Sequence, residues 1–163
     1  MANIDAPFGF NPVEKIGSGP SQKMSEYKIA ASEDAIFQGD AVMPDSGFIQ
    51  QAEPANDLLG VFWGCKFDDP TTNKPTFKNQ YATTTAVADA FVYDDPYQVF
   101  EIQGTSGTAS QQTDIMSSNE IVTTNGSTST GVSAMELKMT SMQAPGAAQL
   151  NIIGFSGNSE RNQ

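Results

Sequence analysis

Two stretches of the chain place a pair of carboxylates immediately ahead of proline: Phe67-Asp68-Asp69-Pro70 and Tyr93-Asp94-Asp95-Pro96. Adjacent carboxylates can divide acid and base work between them, or hold a hard cation such as Ca2+. They also make Asx turns, in which the side chain accepts a bond from the backbone just ahead while proline blocks further strand pairing. The turn is the preferred reading, so Asp68, Asp69, Pro70, Asp94, Asp95 and Pro96 are taken as structural corners. No catalytic, metal-binding or cofactor-binding residue is assigned, and no cofactor is expected.

Other chemistry lacks its parts. The chain has no histidine, so a Ser, Thr or Cys nucleophile would need Lys or a carboxylate as its base, and no such spacing stands out. Cys65 is the one cysteine; it cannot form an intrachain disulfide, and in its apolar surroundings it reads as a small buried hydrophobe. Gly17-Ser18-Gly19-Pro20 lacks the later glycine of a dinucleotide fingerprint, and no Gly-Lys-Ser/Thr follows it. The net charge of -11, from 19 acids against 8 bases, leaves no basic stripe for phosphates or anionic lipid, so neither nucleic acid nor membrane is expected as a partner. Asp5 and the missing basic and apolar runs near the start argue against a signal peptide. Altogether these residues point to a structural or binding module and away from an enzyme.

The elements that would hold the corners read as short strands. A chain of 163 residues is near one domain in length, and its 38% apolar content with abundant Ser, Thr, Asn, Gln and Gly favours an all-β fold with very little helix. One main core is expected. Residues 27–30, 35–37, 41–43 and 48–50 alternate with turn formers such as Gly39-Asp40 and Pro44-Asp45-Ser46-Gly47. The most hydrophobic run, 58–67, reads as a central strand with a bulge at Gly60 or Gly64; Val61, Phe62 and Trp63, with Phe100 and Ile102 further on, are the predicted core. Residues 68–81 read as a long loop or a lobe, 86–93 and 98–103 as strands meeting in a hairpin or corner at Asp94, and 104–113 as irregular. Strands are predicted at 121–124, followed by a tight turn at Asn125-Gly126, and at 133–139, where Met135, Leu137 and Met139 share one face. A last strand near 150–155 is expected to pair with an early one and complete a barrel. Helix is confined to a turn or two at 32–35 or 144–149.

Residues 1–24 scatter Pro7, Pro12 and Pro20 among glycines, which predicts an extended N-terminal arm ahead of a single β domain at 25–155 and a polar tail at 156–163. Ile4, Phe8, Phe10, Val13 and Ile16 make that arm too apolar for a solvated linker. It either folds back on its own core or lies on a neighbour, and these five residues are the candidate capsid or subunit interface. Deleting 1–24 is expected to leave a folded body.

A resemblance rests on Gly60-Val61-Phe62-Trp63-Gly64, Asp69-Pro70-Thr71-Thr72-Asn73-Lys74-Pro75, and Ala90-Phe91-Val92-Tyr93-Asp94-Asp95-Pro96 running into Phe100-Glu101-Ile102-Gln103, with Gln112-Thr113-Asp114-Ile115, the 127–131 loop, Met135-Glu136-Leu137 and Leu150-Asn151-Ile152-Ile153-Gly154 beyond. Over about four-fifths of its length the chain resembles tailed-bacteriophage virion structural proteins of the capsid decoration, or cement, kind. That resemblance implies a small β-barrel or β-tulip/sandwich-like body, made in the host cytoplasm and carried on the outer surface of the virion. The implied partners are the major capsid protein, whose copies it clamps, and itself, as a homotrimer. The alternatives are another virion component, such as a head fibre base or tail protein, or a soluble carbohydrate- or ion-binding β module.

Overall fold

The computed structural model describes residues 5–17, 23–82, 86–105, 107, 109–140 and 142–156, and over these the chain is all-β. Its strands are β1 (Asn11–Lys15), β2 (Ser25–Ile29), β3 (Ile36–Phe37), β4 (Ala41–Asp45), β5 (Phe48–Gln51), β6 (Gly60–Asp68), β7 (Pro75–Lys78), β8 (Gln80–Tyr81), β9 (Ala88–Tyr93), β10 (Gln98–Glu101), β11 (Ser118–Asn119), β12 (Ile121–Val122), β13 (Glu136–Leu137) and β14 (Leu150–Asn151). A six-stranded antiparallel sheet runs in the order β2-β9-β6-β4-β5, with β7 also paired to β6. Its outer strands β2 and β5 come into contact without joining in a ladder, so the sheet curls towards a barrel.

The long β6 is central, as its apolar run predicts. Its bulge lies opposite β9, where Phe62 faces Val92 and Gly64 faces Phe91, leaving Trp63 as the extra residue. Gly64 lies at a close approach, since a Cβ there would sit 2.8 Å from the tip of the Phe77 ring and 3.0 Å from the Lys78 carbonyl. The β4–β5 hairpin turns on Ser46 and Gly47, both at positive φ (48° and 90°), the type I′ geometry that matches strand twist.

Two cores replace the single one expected. Inside the curl lie Ile29, Ile36, Val42, Ile49, Phe62, Cys65, Tyr81 and Val92, and the buried Tyr81 hydroxyl donates to the Ala30 carbonyl at 2.9 Å. Phe10, Ala41, Ala52, Val61, Ile121 and Met135 form the second core. Since Ala41/Val42 and Val61/Phe62 are sequence neighbours pointing to opposite sides of their strands, the second core lies on the outer face, between sheet and C-terminal third. Of the predicted core residues, Val61 and Phe62 are buried, while Trp63, Phe100 and Ile102 are half-buried.

Several local expectations are overturned. The 68–81 stretch contains β7 and β8; Pro75 sits at the first position of β7, where its missing N–H costs little. Asn125-Gly126 is not a positive-φ turn, because the reversal comes at Gly131 (φ 72°), and Gly126 is instead pressed against Phe37. β14 pairs with β11 rather than with an early strand. The only helical turn among the described residues is a 3-10 turn at Gln112–Asp114, partly within the stretch read as irregular. Residues 133–139 alternate between buried and half-buried as predicted, yet only Glu136–Leu137 joins a ladder.

Candidate interaction surface

The N-terminal segment is folded back on its own body. Gly9 adopts φ +70° and passes so close to Ser133 and the Gly39 carbonyl that a Cβ would lie 2.4 Å from one and 2.6 Å from the other. This delivers Phe10 into the outer core, 3% exposed, with its ring edge-on to Phe100 at 5.9 Å and its amide donating to the Gly39 carbonyl at 2.8 Å. Phe10 is therefore corrected from interface candidate to core residue. Removing 1–24 would take out Phe10 and strip β10 of its partner β1, so that cut is expected to destabilise the body as well.

β1 turns its other side chains outward. It pairs with β10 through Asn11–Glu101, Pro12–Phe100, Glu14–Val99 and Lys15–Gln98, and the register slips between Pro12 and Glu14. Val13 is the residue left over. A bulge re-aims a side chain, and Val13 is 52% exposed. Just beyond the strand, the Ile16 amide donates to the Tyr97 carbonyl at 2.9 Å, so two residues 56% and 61% exposed are joined there through their backbones. Phe8 is partly exposed and lies in a shallow cleft of about 250 Å³ with Phe10, Asn11, Gln38, Trp63 and Val132. Ile4 lies outside the described residues. Tyr97 was not among the five interface candidates; the 93–97 stretch, with aromatics beside acids, hinted from the sequence only at a sugar-binding module.

The corners position this surface. Asp95 Oδ1 accepts the Tyr97 amide at 2.9 Å, and its carboxylate forms an ion pair with Lys15. The bond from Lys15, then the Tyr97 amide, holds the Asp95 carboxyl below the usual range. Asp94 accepts the Tyr27 hydroxyl at 2.8 Å, and that bond raises the Tyr27 phenol. Asp94–Tyr97 is thus a corner, not a hairpin, carrying the chain from the six-stranded sheet to the β1–β10 ribbon. At the other corner Asp69 Oδ1 accepts the Thr71 and Thr72 amides at 2.8 and 3.1 Å, which lowers its carboxyl. Asp68 faces Pro75 at the end of the β6–β7 ladder, and Pro70 and Pro96 occupy exposed turn positions.

Among the described residues no three His, Cys, Asp or Glu side chains converge as a metal site would require, and no helix is long and apolar enough to cross a membrane. Cys65 is fully buried, donates to the Gln80 carbonyl at 3.4 Å, and has its thiol pushed up to about 12 by burial. A larger open cleft of about 550 Å³ near Asp57 and Glu120 is laced shut at one side by Gln149, whose amide donates to the Glu53 and Asn56 carbonyls and accepts the Ile121 amide. Asp40, read from the sequence only as a turn former, is fully buried. No protein-family model, curated protein or solved structure matches the chain.

Proposed function

We propose that this chain is a contact-making structural protein: a decoration protein that sits on the outer surface of a tailed-phage head and clamps neighbouring copies of the major capsid protein. One observation carries the contact reading, the exposed apolar set Val13, Ile16 and Tyr97 on a ribbon that is itself anchored by Phe10. Grouped exposed apolar side chains on an otherwise acidic surface mark a place where another surface settles. The phage assignment rests on the resemblance of the Asp-Asp-Pro corners and flanking strands. Each copy need bury only a modest area, because repetition over a lattice multiplies weak contacts.

The test replaces the arm deletion, which would damage the core. A Val13→Asp, Ile16→Asp, Tyr97→Ser variant should keep the parent melting temperature and lose head occupancy by about tenfold or more in co-sedimentation, as expected when central anchors are removed. Equal occupancy of parent and variant would overturn the role of this surface. In immunogold images of phage particles, label on the head surface is expected. Label confined to tails would favour another virion component, and unlabelled particles a soluble β module.

A further inference from the structure

Asp40 is the one buried carboxylate among the described residues. Its Oδ2 accepts the Phe37 amide at 2.8 Å and the Gln51 side-chain amide at 2.9 Å, while Oδ1 has no hydrogen-bond partner. An ionised carboxylate with an idle oxygen in the interior is disfavoured, because water that would have solvated it is gone.

The residues around it are the junction of the molecule. Gly39 donates to the Phe62 carbonyl and Phe62 donates to the Asp40 carbonyl, both at 2.8 Å, fixing the turn to β6. Phe10 donates to the Gly39 carbonyl at 2.8 Å, fixing the arm. Ser133 donates to the Gln38 carbonyl at 2.9 Å and Gln38 to the Gly131 carbonyl at 3.0 Å, fixing the C-terminal third. Three parts of the chain distant in sequence are held by one turn with a buried acid in it.

We propose that Asp40 is a proton-operated latch: when it takes up a proton in mildly acidic solution it tightens the hold of this turn on the N-terminal arm and the Gly131–Met135 segment, and when it releases the proton the hold loosens. Protonated, the carboxyl is neutral and the buried charge is gone; ionised, it is supported by the Ser133 hydroxyl and by the Phe37 and Gln51 amides, which only partly offset its burial. Among the described residues no charged side chain acts on Asp40 from the packed elements. β3 presents the Phe37 amide, β5 the Gln51 amide, the 131–135 segment the Ser133 hydroxyl, and the arm and β6 present backbone and apolar side chains.

The sign follows from burial, which pushes the folded carboxyl up to about 6 from 3.8, against opposing pulls from Ser133, Phe37 and Gln51. A folded group that binds its proton more tightly than the unfolded one adds stability that is complete below the unfolded value and lost as pH rises through about 6. Two pH units correspond to about a hundredfold in the folding equilibrium. Glu136, raised by burial and then by Asp5, acts in the same direction and stays in place in an Asp40 variant.

The latch is independent of the surface reading above and is tested on the isolated protein. Hydrogen exchange at the amides of Phe10, Gly39 and Ser133, corrected for intrinsic rates, should be slower by about tenfold at about pH 5 than at about pH 7.5. Asp40→Asn should erase most of that difference. Equal protection at both pH values in the parent, or an unchanged pH difference in Asp40→Asn, overturns the latch. Should Asp40→Asn fail to fold, the carbon-13 titration of the Asp40 carboxyl in the parent decides: a midpoint near 6 supports the latch, and one below about 4.5 overturns it.

Discussion

After Phe67 the residues Asp68-Asp69-Pro70 send the chain straight back along its own strand, so that β7 pairs with β6; after Tyr93 the same Asp-Asp-Pro order carries the chain away from β6 and β2 and into a different ribbon. The first corner is held by its own neighbourhood. Asp69 accepts amides two and three residues ahead, its own amide donates to the Lys74 carbonyl at 3.0 Å, and Asn73 closes the loop at φ +51°. The second corner is gripped from far away in sequence, Asp94 by Tyr27 of β2 and Asp95 by Lys15 of β1. Local residues thus specify that the chain turns, and distant partners specify where it goes.

The comparison can be broken most forcefully at the far end of the second corner. Phe10→Ala removes the ring against which that corner delivers Phe100, and a cavity in this outer core should cost about 3–5 kcal/mol in urea unfolding; a loss below about 1 kcal/mol would mean the ribbon is held by its ladder alone. Next comes Tyr27→Phe, which deletes only the hydroxyl that Asp94 accepts. A half-buried bond of this kind is worth about 0.5–1.5 kcal/mol, read in the same assay, with no counterpart at Asp69.

The smallest and sharpest contrast pairs Asp95→Ala with Asp69→Ala. Both lose an Asx turn, but Asp95→Ala also frees Lys15, so it should lower the melting temperature further, and about 1 M salt should close the gap. Both carboxyls are held below the ordinary value, so whatever they contribute is present above pH 3.8 and lost as pH falls through their folded values. That is opposite in sign to Asp40, and the two trends should separate in a melting-temperature profile against pH.

Much of the framework was legible in residues that act over short range. The alternation of 133–139, the apolar run before Phe67 and the Ser46-Gly47 turn each encode their structure in a few neighbours. The Asp-Asp-Pro corners did the same as turns. What escaped was set by packing across the chain. Nothing beside Phe10 distinguishes it from Phe8, yet the Gly9 conformation and the pocket formed with Val61, Ile121 and Met135 bury one and leave the other partly in solvent. Gly39-Asp40 reads as an ordinary turn former, and the arm at Phe10 and the segment around Ser133, far apart in the sequence, both close on that turn. Short β7 and β8 lacked enough residues for a period to show.

The pairing of β1 with β10 also sets a clock. Asn11 finds its partner at Glu101, 90 positions later by subtraction, so during synthesis at roughly 5–20 residues per second the first strand waits about 5 to 18 s for the second to be made. Throughout that interval Phe10 has no Phe100 to meet, and the sheet on which the ribbon packs is itself incomplete until β9 has been made. The arm is made well before the strand that holds it, and is among the last pieces to lock.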